Sequence, residues 1–506
     1  MAQAMCGSHC VPDSEASIIC RTHWDPAIRN VFIARVMGMH YPQLTRAISA
    51  ALAEAAGPGN FIDDPAVLEQ YARDETENLR FLPAVVVRPE SADAVAAILR
   101  ICNVHGIPVT PRGAGTGLSG GALPRYGGVV LSTDRLNRII TIDEANLQVV
   151  TEPGVITEVL QDAVKAKGLF YPPDPSSRGS CFIGGNIAEN SGGPRAVKYG
   201  VVRDYVLNLE VALPTGELIW TGANVLKNST GYNLTQLVIG SEGTLGIVTK
   251  IVLKLLPHPT QDLLLLAPFN SLENASAAVS ALFRAGHIPS ALELMEIDAL
   301  RIVSEHLGST TFPVHEGIAA HLIIEVDGND PEQLLREMES IGELLARFDC
   351  GELFFAEDAA QKAALWKLRR SVAEVVKLYG YTIEEDTVVP RAALPALIRG
   401  IKELEKEYNF RSVCYGHAGD GNLHVRIRKE GHPHSLNNPA VVPALRALFT
   451  LVRNLGGTIS GEHGIGLLQK DFLDIVFKEK HLELMRGIKK VFDPGGILNP
   501  GKIFNQ

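Results

Sequence analysis

The chain has 506 residues, which is too long for one compact core and predicts two or three domains. Apolar residues make up 46% and charged residues 21%, as in an ordinary soluble globular protein. The net charge of −10 argues against a nucleic-acid partner, and no apolar run approaches the roughly 20 residues of a membrane span. The seven cysteines form no Cys-x-x-Cys pair, which favours reduced thiols in the cytoplasm and provides no iron–sulfur ligand pattern.

Residues 1–40 lack the hydrophobic periodicity of a folded core. We expect a disordered extension, or a start codon assigned upstream of Met37 or Met39. A metal-binding tail is the alternative, because this stretch holds three cysteines, although at uneven spacing.

The next part of the chain mixes helix and strand patterns. Helical spacing predicts helices over Thr45–Ala56, Pro65–Arg73, Ser91–His105 and Thr157–Lys167. Apolar and β-branched runs predict strands at Ala84–Arg88, Gly106–Thr110, Val129–Ser132, Arg138–Ile142, Gln148–Thr151, Leu209–Leu213, Leu218–Thr221 and Ile247–Leu256. These units do not repeat evenly as β-α pairs, so a mixed sheet is favoured over a doubly wound one.

Two loop-rich stretches interrupt this part. Pro111–Gly121 contains a G-x-G-x-x-G spacing, but a Rossmann fingerprint requires a helix after it. A turn into Val129–Ser132 follows instead, so a phosphate cradle between two strands is the better interpretation. The second stretch, Tyr171–Gly193, combines prolines with Gly-Gly and Asn turns, and its length favours a functional loop over an ordinary surface loop.

Pro257 and Pro259–Asp262 mark a domain boundary. Beyond it, long helices are predicted at Ser271–Ala285, Glu332–Phe348, Asp358–Tyr379 and Ala392–Tyr408, with strands such as His321–Val326 between them. This change of pattern predicts a separate α+β domain with its own core.

Metal-ligating side chains gather in two glycine-rich stretches near the C-terminus. His417 and His424 would lie on opposite faces of an uninterrupted strand, but the Gly419–Gly421 turn breaks that period and lets both imidazoles converge. Glu462 and His463 follow in another glycine-flanked turn. Four such groups favour a metal site over ordinary loop residues, and an N/N/O donor set suits zinc, with manganese or iron as alternatives.

These motifs together resemble the flavin-dependent D-2-hydroxy-acid dehydrogenases, a group that includes D-lactate dehydrogenase, D-2-hydroxyglutarate dehydrogenase and the flavin subunit of glycolate oxidase. The resemblance runs from about residue 41 to the end, through Pro111–Gly121, Pro172–Gly193, Gly240–Gly246, Tyr415–Val425, Ser460–Gly466 and Asp493–Lys502. It implies an α+β chain with a two-part FAD-binding domain of the vanillyl-alcohol-oxidase (PCMH) type over residues 41–258. A substrate or cap domain would cover 259–455, and residues 456–506 would complete the flavin and metal site.

The resemblance also implies FAD, bound without a covalent link because Pro111–Gly121 contains neither His nor Cys. The expected cofactor-binding residues are Pro111, Arg112, Gly113, Ala114, Gly115, Thr116, Gly117, Ser119, Gly120, Pro173, Asp174, Ser177, Gly184, Gly185, Asn186, Asn190, Gly192, Glu242, Gly243, Gly246, Ile247 and Asn499.

By the same resemblance, His417, His424 and Glu462 are the ligands of a divalent ion, expected to be zinc. The ion would bind the hydroxyl and one carboxylate oxygen of a 2-hydroxy acid, which makes the hydroxyl more acidic. His463 would then act as the general base. Asn422 would add a hydrogen bond to the substrate, or alternatively only cap the turn.

The substrate arginine of the resembled family corresponds to Arg369, with Arg370 as the neighbour that could be confused with it and a solvated helix charge as the alternative role. Relatives that act on D-2-hydroxyglutarate carry a lysine in the strand that follows, where this chain reads Tyr381–Asp386. Glu384 would repel a second carboxylate there. A monocarboxylate such as glycolate or D-lactate is therefore expected.

The implied function is FAD-dependent oxidation of a small D-2-hydroxy acid to the 2-oxo acid. Electrons would pass to an iron–sulfur or FAD partner subunit or to a quinone. The expected location is the cytoplasm, with peripheral attachment to the inner face of the cytoplasmic membrane and a homodimer as further alternatives.

Three other functions are weighed against this one. A D-2-hydroxyglutarate dehydrogenase belongs to the same family. Ether-lipid synthases of the same superfamily use FAD without net oxidation, but they resemble a His-rich run where this chain has Glu462 and His463. A metal-dependent hydrolase or a metal-binding module without flavin is the third alternative. It would leave the three loops that resemble flavin-binding loops, Pro111–Gly121, Pro172–Gly193 and Gly240–Gly246, unexplained.

Overall fold

The computed structural model describes residues 41–308, 314, 316–430 and 440–505, so the expectations for residues 1–40 lie outside the described part. Its helices are α1 (Arg46–Ala56), α2 (Pro65–Tyr71), α3 (Ala92–His105), α4 (Thr157–Lys165), α5 (Ile183–Glu189), α6 (Ala196–Tyr199), α7 (Leu234–Val238), α8 (Leu272–Arg284), α9 (Ile297–Leu307), α10 (Pro331–Leu345), α11 (Ala359–Leu378), α12 (Leu394–Tyr408), α13 (Val442–Asn454), α14 (Leu473–Val476) and α15 (Glu479–Phe492). Within the described residues, no helix combines the length and the apolar character needed to cross a bilayer.

The strands are β1 (Phe61–Ile62), β2 (Val85–Val87), β3 (Val109–Arg112), β4 (Val129–Ser132), β5 (Ile139–Asp143), β6 (Gln148–Thr151), β7 (Leu169–Phe170), β8 (Val206–Ala212), β9 (Leu218–Trp220), β10 (Ile247–Lys254), β11 (Leu256–Pro257), β12 (Gln261–Phe269), β13 (Ala291–Glu296), β14 (Ala320–Gly328), β15 (Phe354–Phe355), β16 (Ile383–Val388), β17 (Arg411–His417) and β18 (Asn422–Arg428). Every predicted helix and strand is present, with ends shifted by a few residues. The cap of α3 shows why such predictions succeed: Ser91 Oγ accepts the Ala94 N–H at 3.2 Å, and Gly106 ends the helix in the left-handed region.

The first glycine-rich loop connects two neighbouring parallel strands. β3 pairs with β4, and the residues between them contain no helix. The Rossmann alternative is therefore wrong, and the prediction of a loop between two strands is confirmed. The surrounding four-stranded sheet has the order β1-β2-β4-β3 and is mixed, because β1 pairs with β2 in the antiparallel direction.

The second loop-rich stretch differs from the prediction because it contains α5. Gly184 lies so close to Pro153 that an added Cβ would come within 2.5 Å of the Pro153 Cβ. Asn186 Nδ2 donates to Thr157 Oγ1 at 2.7 Å and ties α5 to the start of α4. Tertiary contacts therefore stabilise a helix whose own glycines disfavour it.

Three antiparallel sheets complete the fold, and the smallest is the pair β11-β7. Of the two larger sheets, the first has the order β5-β6-β10-β8-β9, and the second has the order β15-β12-β14-β13-β17-β18-β16. Alternate residues of β12 face opposite sides of the second sheet: Leu265 and Ala267 pack toward α8, α10, α12 and α13, whereas Leu264 and Leu266 pack toward α9 and α11. The inner strands β13, β17 and β18 and the edge strand β16 of this sheet carry the polar residues of the site described below.

Residues near the C-terminus connect the first glycine-rich loop, Pro111–Gly121, to the loop Gly240–Gly246 that precedes β10. Asn499 Nδ2 donates to the Gly121 carbonyl at 2.9 Å and to the Glu242 carbonyl at 2.7 Å. Lys502 Nζ donates to the Leu123 carbonyl at 2.6 Å. Because Asn499 is buried, these loops are positioned by protein groups and not by solvent.

Asn499→Ala should lower the free energy of unfolding by about 2 to 4 kcal/mol, because two carbonyl oxygens lose their donor. Denaturant unfolding of the ligand-free protein measures this change. Asn505→Ala is the matched control, since Asn505 is exposed and contacts Asp471 only at the surface. Equal effects of the two substitutions would contradict the proposed tie.

Candidate active site

One cavity of about 560 Å³ lies between the glycine-rich loops and the seven-stranded sheet. Its walls come from the loops at Pro111–Gly121, Pro172–Gly193 and Gly240–Gly246, from α11, from the β17–β18 hairpin and from the turn at 460–466. The structure therefore brings the expected cofactor loops and the expected catalytic groups to the same space.

Most of the expected cofactor-binding residues line this cavity. They are Pro111, Arg112, Gly113, Ala114, Gly115, Thr116, Gly117, Ser177, Gly184, Gly185, Asn186, Glu242, Gly243, Gly246 and Ile247. The expected residues outside the lining are Ser119, Gly120, Pro173, Asp174, Asn190, Gly192 and Asn499.

Three of the residues outside the lining have local structural roles near the cavity. Asn190 ends α5 in the left-handed region, and its Oδ1 accepts the Arg203 N–H at 3.0 Å. The Ser119 carbonyl accepts the Leu467 N–H at 2.8 Å. Gly192 leaves room for Glu462, because an added Cβ would come within 2.9 Å of Glu462 Oε2. Of these three positions, Gly192 is the one that directly leaves space for a residue of the cavity wall.

The two histidines converge as the glycine turn predicted. His417 ends β17, His424 is the third residue of β18, and their ring centroids are 5.5 Å apart. Glu462 Oε1 lies 3.3 Å from His417 Nε2 and 3.5 Å from His424 Nε2. The ligand atoms of these three residues all lie within 4.8 Å of one another.

Glu293 on β13 is a buried acid that connects two expected site residues. Its Oε1 lies 2.7 Å from His417 Nδ1, and its Oε2 accepts from Arg369 Nε at 2.8 Å. Burial lowers the pKa of His417, but Glu293 and Glu462 outweigh it and raise that pKa well above its ordinary value. Glu293 therefore fixes which His417 nitrogen faces Glu462.

Asp386 on β16 holds the turn that carries Glu462 and His463. Its Oδ2 accepts the backbone N–H groups of Gly461, Glu462 and His463 at 2.7, 2.7 and 2.9 Å. Its Oδ1 accepts from Asn422 Nδ2 at 2.6 Å. Fixing the backbone of this turn positions both side chains at the cavity.

Asn422 is the first residue of β18 and is joined to β16. Its Nδ2 donates to Asp386 and to the Thr387 carbonyl at 3.1 Å, and the residue does not line the cavity. The two roles expected from the sequence, a hydrogen bond to substrate or a cap of the turn, stay predictions.

Glu384 lines the cavity but is paired, which corrects the expected repulsion of a second carboxylate. Arg426 Nη2 lies 2.5 Å from Glu384 Oε2, and Tyr415 donates its hydroxyl to Glu384 at 3.3 Å. Burial raises the pKa of Glu384, but Arg426 and His424 more than offset it and hold that pKa well below its usual range. Arg426 balances the carboxylate charge, so Glu384 alone does not decide the substrate.

The two neighbouring arginines of α11, Arg369 and Arg370, differ in how far their side chains are buried. Arg369 is 4% exposed, contacts Glu293 and lies over the Tyr415 ring at 5.3 Å. Arg370 is more exposed, lies over the Trp366 ring and is 3.9 Å from Asp174. Both line the cavity, but only Arg369 is joined to the histidine cluster through Glu293.

Two domain families match the chain. Residues 83–222 match the family described as FAD binding domain, and residues 258–503 match FAD linked oxidases, C-terminal domain. The glycolate oxidase subunit GlcD of Bacillus subtilis is 40% identical over 468 residues, which are 91% of this chain and 97% of that protein. The chain belongs to the FAD-linked oxidase family.

Other relatives agree with this FAD-linked oxidase assignment. The D-lactate dehydrogenase of Anaerostipes hadrus is 40% identical over 83% of this chain and 89% of its own length. The D-2-hydroxyglutarate dehydrogenase of Xanthomonas citri pv. viticola is 36% identical over 87% and 93%. The resemblance read from the motifs is confirmed.

Solved structures confirm the expected α+β fold with an FAD-binding domain of the PCMH type. p-Cresol methylhydroxylase has a TM-score of 0.73 at 19% identity, covering 92% of this chain and 98% of that one. An alkyldihydroxyacetonephosphate synthase has a TM-score of 0.69 at 18% identity, covering 92% and 86%. At such low identity these likenesses show the fold alone.

The cavity of this FAD-linked oxidase fits a dinucleotide. Arg112 Nη1 is buried and has no hydrogen-bond partner among the described residues, although Arg112 lines the cavity. An anionic phosphate would satisfy such a group. Gly243 lets the loops approach closely, because an added Cβ would come within 2.4 Å of Pro111 Cγ.

The histidine and glutamate set fits a divalent ion. His424 Nε2 is buried and lacks a hydrogen-bond partner in the described part of the chain. The donor separations of 3.3 and 3.5 Å compare well with the roughly 3.3 Å between ligand atoms of a tetrahedral zinc site. Glu384, His424 and His463 form a second candidate set, but Arg426 already neutralises Glu384.

Sequence reasoning missed Glu293, Asp386 and the Glu384–Arg426 pair. A weak signal exists for Glu293, which interrupts the apolar strand β13 with a charge. Asp386 ends a run of three acids in β16, but the run does not reveal which acid faces the site.

Substitution of single ligands should show which of the two candidate ligand sets binds the metal ion. We expect His417→Asn and Glu462→Gln to weaken Zn²⁺ binding by about 100-fold or more, and His463→Asn to retain it. Metal content after dialysis against graded chelator measures the effect. Loss of the ion in His463→Asn with retention in His417→Asn would place it at the second set instead.

Proposed function

We propose that this FAD-linked oxidase converts a small 2-hydroxy acid, glycolate or D-lactate, into the 2-oxo acid. The supporting observation is a single cavity where cofactor-type loops face Arg369, His463 and a convergent His417, His424 and Glu462 set. A hydroxy acid needs a carboxylate anchor, a group that acidifies its hydroxyl and a base. Relatives named for glycolate and D-lactate support the same chemistry.

Arg369 is proposed to hold the substrate carboxylate. Glu293 contacts the guanidinium through Nε and Nη2, so its plane is fixed before substrate arrives. The remaining N–H groups would donate to the carboxylate. Because the same Glu293 orients His417, carboxylate binding and hydroxyl binding share one rigid support.

The oxidation removes the hydroxyl proton and a hydride from the adjacent carbon. When bound, FAD supplies the hydride acceptor. A divalent ion at His417, His424 and Glu462, when bound, supplies a Lewis acid for the hydroxyl. His463 would take the proton: its ring centroid is 5.0 Å from that of His424, and its backbone N–H is held by Asp386.

The electron acceptor is proposed to be a partner subunit, of the iron–sulfur or FAD type, or a quinone. The relative from Bacillus subtilis is named as a subunit, and the 506-residue sequence contains no Cys-x-x-Cys pair.

A D-2-hydroxyglutarate dehydrogenase is the second candidate. The relative of that name supports it, and two cations, Lys377 and Arg426, line the cavity beyond Arg369. A non-redox transferase is favoured less, because its support is a likeness of fold alone.

Anaerobic flavin reduction tests the proposed reaction. We expect glycolate or D-lactate to bleach the flavin absorbance, L-lactate to fail, and chelator to abolish the bleaching until zinc is restored. Faster bleaching by D-2-hydroxyglutarate would select the second candidate. A yellow protein that no hydroxy acid bleaches would overturn the oxidase proposal.

His463→Asn should lower the rate of flavin reduction by about 10²- to 10⁴-fold, because the hydroxyl loses its proton acceptor. Stopped-flow absorbance measures the rate, and the flavin and metal contents serve as controls for folding. A change in substrate KM without a change in the limiting rate would show that His463 binds substrate and does not accept its proton.

A further inference from the structure

Glu77 lies in the segment between α2 and β2 and contacts two cations that line the active-site cavity, although it does not line the cavity itself. Its Oε1 is 3.5 Å from Lys377 Nζ and 3.4 Å from Arg426 Nη1. The Glu77 side chain is only 12% exposed, so these contacts are poorly screened by solvent. One carboxylate thus joins a cation of α11 to a cation of β18.

Both cations line the cavity on the side where a substrate side chain would lie. Arg426 follows His424 by two residues on β18, so it lies on the same face about 7 Å away. Lys377 follows Arg369 by eight residues, about 12 Å along the axis of α11. Arg426 is therefore within reach of a group a few bonds beyond a hydroxyl held near His424.

The charges of this wall are balanced. Arg426 is paired with Glu384 at 2.5 Å and shares Glu77 with Lys377. Among the described residues, Glu77 is the acid within 4.0 Å of Lys377. Removing Glu77 would leave two cations facing one carboxylate, and Lys377 would be free to bind an anion.

We propose that Glu77 is a specificity-determining residue that keeps the side-chain end of the cavity from accepting a second carboxylate. The inference rests on the proposed function, since it assumes that Arg369 holds the first carboxylate. Because Glu77 occupies Lys377 and Arg426, a dicarboxylate would have to displace it before its distal carboxylate could pair with these cations, whereas a monocarboxylate needs no such partner. Selectivity against dicarboxylates is thus set by a carboxylate of the protein that competes for the cations, and this carboxylate belongs to a segment distant in sequence from the histidine cluster.

The measurement is the ratio of kcat/KM for D-malate to kcat/KM for D-lactate, obtained from flavin reduction. Glu77→Gln should raise this ratio by about 10- to 100-fold through a lower KM for D-malate, the effect of one gained charge-assisted contact. Lys377→Met should lower the ratio, because Glu77 then lacks one of its cations. The double substitution should return it toward the wild-type value.

Glu75→Gln is the matched control. Glu75 is two residues from Glu77, lines the cavity and is exposed, and it has no ion pair within 4.0 Å among the described residues. It changes the local charge by the same amount without releasing a cation. A general electrostatic effect on anionic substrates would appear equally in both glutamate substitutions.

Calorimetric dissociation constants of D-malate and D-lactate provide the same comparison without turnover. If no hydroxy acid reduces the wild-type flavin, the proposed function fails, and the ratio of dissociation constants still tests Glu77. An unchanged ratio in Glu77→Gln, or equal shifts in Glu77→Gln and Glu75→Gln, would overturn the inference. If the Glu77→Gln variant does not retain its flavin, the Lys377→Met variant provides the test. An unchanged ratio of D-malate to D-lactate in Lys377→Met would then overturn the inference.

Discussion

The site depends on one buried carboxylate. Asp386 is 0% exposed and accepts the N–H groups of Gly461, Glu462 and His463 together with Asn422 Nδ2. Burial raises the pKa of this acid, but His463, His424 and the backbone donors hold it below its ordinary value. A single ionised side chain therefore binds β16 to the hairpin and to the 460–466 turn, and both turn side chains are positioned through it.

Two other buried acids at the site are compensated by cationic or histidine partners. Glu293 contacts both Arg369 and His417, and Glu384 contacts Arg426. Such pairs contribute little net stability, because desolvation offsets the attraction, but breaking one leaves an uncompensated charge. Their value here is geometric: each acid fixes the orientation of a group that lines the cavity.

The two halves of the chain contribute different chemistry. In the first half, the loops around β3, α5 and β10 bring backbone close to the cavity and provide the buried Arg112. In the second half, the seven-stranded sheet provides His417, His424 and the acids that contact them. Asn499 and the Glu242 carboxylate, which accepts the Ile465 and Gly466 N–H groups at 2.8 Å, join these halves. The cofactor cradle and the substrate-binding groups are consequently held in one fixed relation.

The sequence by itself determined whatever is local: helix caps such as Ser91, strand alternation, the loop between β3 and β4, and the turn that lets His417 and His424 converge. Only the tertiary structure decided which acids support them. Glu293 is 124 residues from His417, and strand order places β13 beside β17, a pairing that no local period specifies. Helix α5 contains two glycines and likewise forms because it packs against residues distant in sequence. Helix propensity depends on a few neighbouring residues of the sequence, whereas burial and charge pairing depend on neighbours in space.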